Sequence, residues 1–162
     1  MTIRKDLIDE LIATGKSLWR RVRPTKLKEH EAMAQGRESG AAAAKWGLDC
    51  GRRLAASLGA TPPTGNSNAC RLEGKRIVIK CAAVTTDSVG VTFKMLERLE
   101  EIVGAFQLAE GSFDVWALTP AQYRQAMRDT ASHGASAGKV GIVRKAVFEQ
   151  HGRHIGRIRP GE

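Results

Sequence analysis

The chain has 162 residues, enough to bury a core without disulfide or metal staples. Its 42% hydrophobic and 27% charged content excludes a disordered polymer, and no apolar run approaches the ~20 residues of a membrane span. With 26 Lys and Arg against 17 Asp and Glu, the formal net charge is +9, which favours nucleic acid as a partner above all.

Residues 2–22 place Ile3, Leu7, Ile8, Leu11, Ile12, Leu18, Trp19 and Val22 at helical spacing. This predicts an amphipathic helix, weakened at Gly15 and stopped by Pro24. Its stripe needs a cover, either the body of the protein or a second copy in a homodimer. Residues 26–35 are polar. A second, alanine-rich helix is expected over 38–58, closed by Gly59 and the following Pro62-Pro63. Then the period changes. Ala69–Leu72, a turn at Glu73-Gly74-Lys75 and Arg76–Val84 read as a β-hairpin, its second strand apolar on both faces and hence central.

A short helical pattern follows over Met95–Ile102, then a second hairpin from Val103–Leu108 and Phe113–Leu118. Thr119-Pro120-Ala121-Gln122 is a capping box with proline at the first helical position. Residues 129–141 are small, polar and Gly-rich, read as a flexible loop, and Ile142, Val143, Val147 and Phe148 mark a last ordered element. The expected fold is α/β or α+β, with a mixed sheet of about four to five strands flanked by helices. The expected organisation is an N-terminal helix and basic arm over 1–30, a core over 31–128, and a Gly/Ser loop with a basic C-terminal segment over 129–162.

The positive charge is clustered. Lys16, Arg20, Arg21, Arg23, Lys26 and Lys28 occur without an intervening acid, and a second group contains Lys139, Arg144 and Lys145. Both are candidate phosphate contacts. Arg20, Arg21 and Arg23 are expected to matter more than Arg71 or Arg98, because Glu97, Glu100 and Glu101 surround Arg98. Lys80 is the oddest residue, standing between Ile79 and Cys81 in the most apolar strand, where an ammonium is costly unless paired or directed outward.

The run Leu72-Glu73-Gly74-Lys75-Arg76-Ile77-Val78-Ile79-Lys80 resembles the core of the PD-(D/E)XK restriction-endonuclease-like superfamily. Leu54–Ala60 and Pro63–Asn68 resemble the helix and Gly/Asn-rich loop that precede that core. Gly104-Ala105-Phe106 and Val115–Pro120 resemble its later strands, so the resemblance covers about residues 38–128. It implies that a first-strand Asp, and an acid two residues before the lysine, hold Mg²⁺ and that metal and lysine activate water against a phosphodiester. Here Lys80 fits the lysine, but Val78 stands two before it and Asn68, Ala69 or Cys70 occupies the first-strand position. Mg²⁺ needs hard oxygen ligands that these residues do not supply.

The expected protein is therefore a bacterial, cytoplasmic DNA-binding pseudo-nuclease with a vestigial Lys80 and no cofactor. Met1–Asp6 has no apolar export block, and Cys50, Cys70 and Cys81 read as reduced thiols. The alternatives are an active Mg²⁺-dependent nuclease whose carboxylates come from Glu38, Asp49, Glu73 or Asp87, and an oligomeric interaction module built on the 2–22 helix. His151-x-x-His154 lacks cysteine partners at zinc spacing. Gly134–Lys139 is one residue short of a phosphate loop. Trp19, Trp46 and Trp116 read as core.

Overall fold

The computed structural model describes residues 26–63, 65, 67–129 and 137–161, with side chains from residue 40 onward. The chain divides after Ala41 into two compact units. The described part of the first is the beginning of helix α1 (Lys26–Ser57). The polar residues 26–35, readable as a continuation of helix, and the helix expected over 38–58 are thus one element. Gly36 and Gly40 each weaken a helix by about 1 kcal/mol relative to alanine, but the alanines around them are the strongest helix formers.

The second unit is mixed α/β. Among the described residues it holds a five-stranded mixed sheet and a three-stranded sheet. The large sheet contains β1 (Ala69–Leu72), β2 (Lys75–Ala82), β4 (Glu101–Gln107), β5 (Phe113–Leu118) and β8 (Arg153–Ile158), in the order β1-β2-β4-β5-β8. β2 runs parallel to β4 and every other neighbouring pair is antiparallel. The first hairpin closes through Glu73 (φ 52°) and Gly74 (φ 81°), a left-handed pair that matches strand twist. The small sheet has the order β3-β7-β6, from β3 (Ser88–Thr92), β6 (Arg128–Asp129) and β7 (Val140–Arg144).

Strand alternation sends the large sheet's side chains into two cores. Ile77, Ile79, Val103, Ala105, Phe113 and Val115 pack with Cys50, Leu54 and Ala55 of α1. The α1 contribution follows a four-residue repeat, with Trp46, Cys50, Leu54 and Leu58 on one stripe. On the opposite face Val78, Ile102, Phe106 and Leu118 pack with Val89, Val91 and Val143 of the small sheet, and with Leu96, Tyr123 and Phe148. Those last three belong to short helices α2 (Phe93–Leu96), α3 (Pro120–Ala126) and α4 (Lys145–His151).

The capping box forms as expected: the Thr119 hydroxyl accepts from Gln122 N, and Gln122 Oε1 accepts from Thr119 N. The helix expected over 95–102 is a single turn, with β4 starting at Glu101. Leu96, Leu99 and Ile102 reach one core by a turn and a strand rather than by a continuous helix. The expected last ordered element is larger: β7 joins the small sheet and β8 the large one, with α4 between them in the chain. Among the described residues no helix is long and apolar enough to cross a membrane.

Candidate functional site

β1 is four residues shorter than β2 and its last partner is Val78, through Ala69. Ile79 N still donates to Asn68 O at 3.2 Å, and beyond that point β2 has no ladder partner on this side. A cavity of about 610 Å³ opens there. Lys80 and Cys81 line it from β2, Lys45 and Leu48 from α1, and Ser88 and Gly90 from β3. Asn68 holds the wall in place: its Nδ2 donates to Gly47 O at 2.9 Å, and a Cβ at Gly51 would collide with its side chain. The missing Cβ at Gly51 lets the Asn68 side chain lie directly on α1.

Lys80 is half-buried and has no ion-pair partner among the described residues. Burial pulls its ammonium below the usual 10.5, with the Cys81 thiol acting weakly the other way. The Cys81 thiol is pushed up to about 12 by burial first and by neighbouring Cys50 second, so it stays protonated and inert.

A second cavity of about 390 Å³ lies beside the first, and Ser67 and Met95 line both. Arg76, Lys94 and Arg98 line this second part, with Thr92 and Leu99. The two together form a groove with five cationic residues and no carboxylate among the described residues that line it. Arg76, Val78 and Lys80 share one face of β2, which places a cation in each part of the groove with a buried valine between them.

Two of the three acids expected to screen Arg98 are held by other groups. Glu101, 9% exposed, binds Lys75 Nζ at 2.7 Å and Arg153 Nη2 at 2.9 Å, and Glu100 Oε2 accepts from Arg76 N at 2.8 Å. Arg98, expected to be secondary, is therefore a groove residue.

The other expected contacts divide. Lys16, Arg20, Arg21 and Arg23 lie outside the described residues, as do the 2–22 helix and its homodimer role; Lys26 and Lys28 lie on α1, with side chains outside the description. Lys139 and Arg144 are exposed at the two ends of β7 and flank the groove wall: Lys139 O accepts from Phe93 N, next to Lys94, and Arg144 pairs in register with Ser88. Lys145 is paired within the protein. Its Nζ sits 3.4 Å from Glu149, one helical turn on, 4.0 Å from Asp114, and 5.9 Å over the Phe106 ring, so its charge is matched within the protein.

The residues present do not fit Mg²⁺. Val78 is fully buried among apolar side chains, and Cys70, in the first strand, is a buried thiol. Glu73 sits in the hairpin turn at the far end of β2, separated from Lys80 by more than the ~16 Å that five strand residues span. Asp49 and Asp87 are exposed and do not line the cavity; the Glu38 side chain lies outside the description. Among the described residues no group of three or more His, Cys, Asp or Glu side chains is arranged to hold a metal ion. His154 Nε2 lies instead 2.8 Å from Asp114 Oδ1, with its ring against Trp116. Trp46 and Trp116 are half-buried against the two cores. No family model matches the chain, and no curated protein matches it.

Proposed function

We propose that this protein binds the phosphate backbone of duplex DNA in the groove between the β2 edge and β3, and does not hydrolyse it. The observation that carries the reading is the lining: Lys45, Arg76, Lys80, Lys94 and Arg98 around two adjoining cavities, with no carboxylate among the lining residues. Phosphates attract such a cluster and release counterions on binding, while a groove without carboxylates neither repels the strand nor assembles a hydrolytic metal centre. The resemblance to the restriction-endonuclease-like superfamily fits this reading as a core kept for binding, with Lys80 in the lysine position and Val78 in place of the acid. Lys139 and Arg144 would extend the contact along β7. Backbone contacts of this kind set position more than sequence preference.

The test is fluorescence anisotropy with a labelled duplex, followed by a gel of the same samples after incubation with Mg²⁺ or Mn²⁺. The reading predicts binding at low salt and intact DNA. Absence of binding at ~50 mM salt contradicts it. Specific nicking that disappears in Lys80→Ala would establish the nuclease instead.

A further inference from the structure

The cavity does more than present charge at Lys80. Exposed cations such as Lys94 and Arg98 suffice for phosphate contact, yet of the two lysines that line the larger cavity Lys45 is exposed and Lys80 is half-buried. Lys80 sits beside Leu48, Val89 and Met95, with no ion-pair partner among the described residues. An enclosed amine with no carboxylate to hold it as an ammonium is suited to add to a carbonyl. Arginines at the same place could hold phosphate but could not form an imine.

We propose that Lys80 captures the aldehyde of a ring-opened abasic deoxyribose as a reversible imine; this rests on the phosphate-binding reading, because the groove supplies the strand. An aldehyde arises in a DNA backbone where a base has been lost. The cavity of about 610 Å³ is within the ~300–1,000 Å³ range of small-molecule pockets, ample for one sugar-phosphate unit. Lys45 lines the same cavity as Lys80, and Arg76, Lys94 and Arg98 line the adjoining one, so cations are at hand for the flanking phosphates.

In the step itself the neutral Lys80 Nζ adds to C1′. A C=N bond replaces the C=O bond, and the carbonyl oxygen leaves as one water carrying both amine hydrogens. No electron is gained or lost, and hydrolysis reverses the step. The lowered proton affinity of the buried amine raises the neutral fraction that this addition needs. The described lining holds no carboxylate to take the C2′ proton, and the assignment is capture rather than strand cleavage.

The experiment incubates the full chain with a duplex containing one abasic site, adds cyanoborohydride to reduce any imine, and resolves products on a denaturing gel. Binding of an intact duplex is measured in parallel by anisotropy. Wild type gives a covalent protein–DNA band, and Lys80→Arg, which keeps the charge but cannot form the imine, lowers it at least ~10-fold. Lys80→Met, apolar and tolerant of burial, is the second variant and also loses the band. Duplex binding by wild type without a band overturns the capture and leaves the phosphate reading standing. A band of wild-type strength in either variant assigns the chemistry to another lysine and overturns it too. Neither band nor binding overturns both readings.

Discussion

β2 carries a lysine near each end, and the two have opposite surroundings. Lys75 begins the strand against Glu101, a nearly buried carboxylate that also holds Arg153 from β8. Lys80 faces a cavity with Lys45 as another charged lining group and no acid. The first lysine helps fasten β2, β4 and β8 together; the second is desolvated without compensation, and that costs stability. On the proposed function, the cation kept at a cost to stability serves binding, whereas the one that completes an ion pair serves as a structural joint.

The widest separation between these classes should appear in affinity. Arg76/Lys94/Arg98→Ala removes three groove cations, and at moderate salt duplex affinity should fall on the order of 10²-fold, with the salt slope reduced by about 0.9 for each lost phosphate contact. Lys75→Ala should change affinity less than ~3-fold, a value set by long-range screening alone. Equal losses in the two proteins, measured by anisotropy titration, would erase the distinction.

Stability should sort the same residues the other way. Glu101→Gln removes the charge that two cations share, and urea unfolding should show a loss of about 2 kcal/mol, since hydrogen bonds to charged groups contribute roughly 1.5–3 kcal/mol and both cations are half-exposed. Lys80→Met should have the opposite sign, a gain of about 1 kcal/mol at neutral pH, because a thioether of similar length replaces a half-buried ammonium. The gain should depend on pH. The folded-state pKa of Lys80 lies below its unfolded value of 10.5, so between the two the unfolded chain holds more protons and wild-type stability rises with pH. The gap between Lys80→Met and wild type therefore narrows as pH climbs toward 10.5. A gap that widens would place the lysine in a hidden ion pair.

The smallest effect concerns the wall opposite Lys80. The buried Tyr123 hydroxyl lies 2.8 Å from Val89 O and 2.9 Å from Gly141 O, and its single O–H donates to one at a time. It ties α3 to β3 and β7. Tyr123→Phe should cost about 1 kcal/mol in urea unfolding and leave the salt slope unchanged.

Much of the scaffold was legible in the sequence because its signals are local. The Glu73-Gly74 turn, the apolar run through Ile77–Ile79 and the Thr119–Gln122 box each depend on neighbours a few residues away. β3 was missed because Ser88–Thr92 is short, contains Gly90 and is stabilised through pairing with Val140–Arg144, some fifty residues distant. The groove was missed for a related reason. Adjacency along the chain favours Lys16–Lys28, whereas the groove gathers two cations from β2 and one each from α1, α2 and the following loop. One signal was available: Arg76 and Lys80 are four residues apart on a strand, so a period of two puts both on one face. Lys145 shows the converse, since Glu149 four residues on was readable as its helical partner.

The most direct test of the central claim is the salt dependence of duplex binding by the wild-type chain. With five groove cations each meeting a phosphate, log K should fall against log salt with a slope near −4.5, at ~0.9 per contact, and in Arg76/Lys94/Arg98→Ala the slope should flatten to about −2. A wild-type slope that the triple substitution leaves unchanged would show that DNA is held somewhere other than this groove.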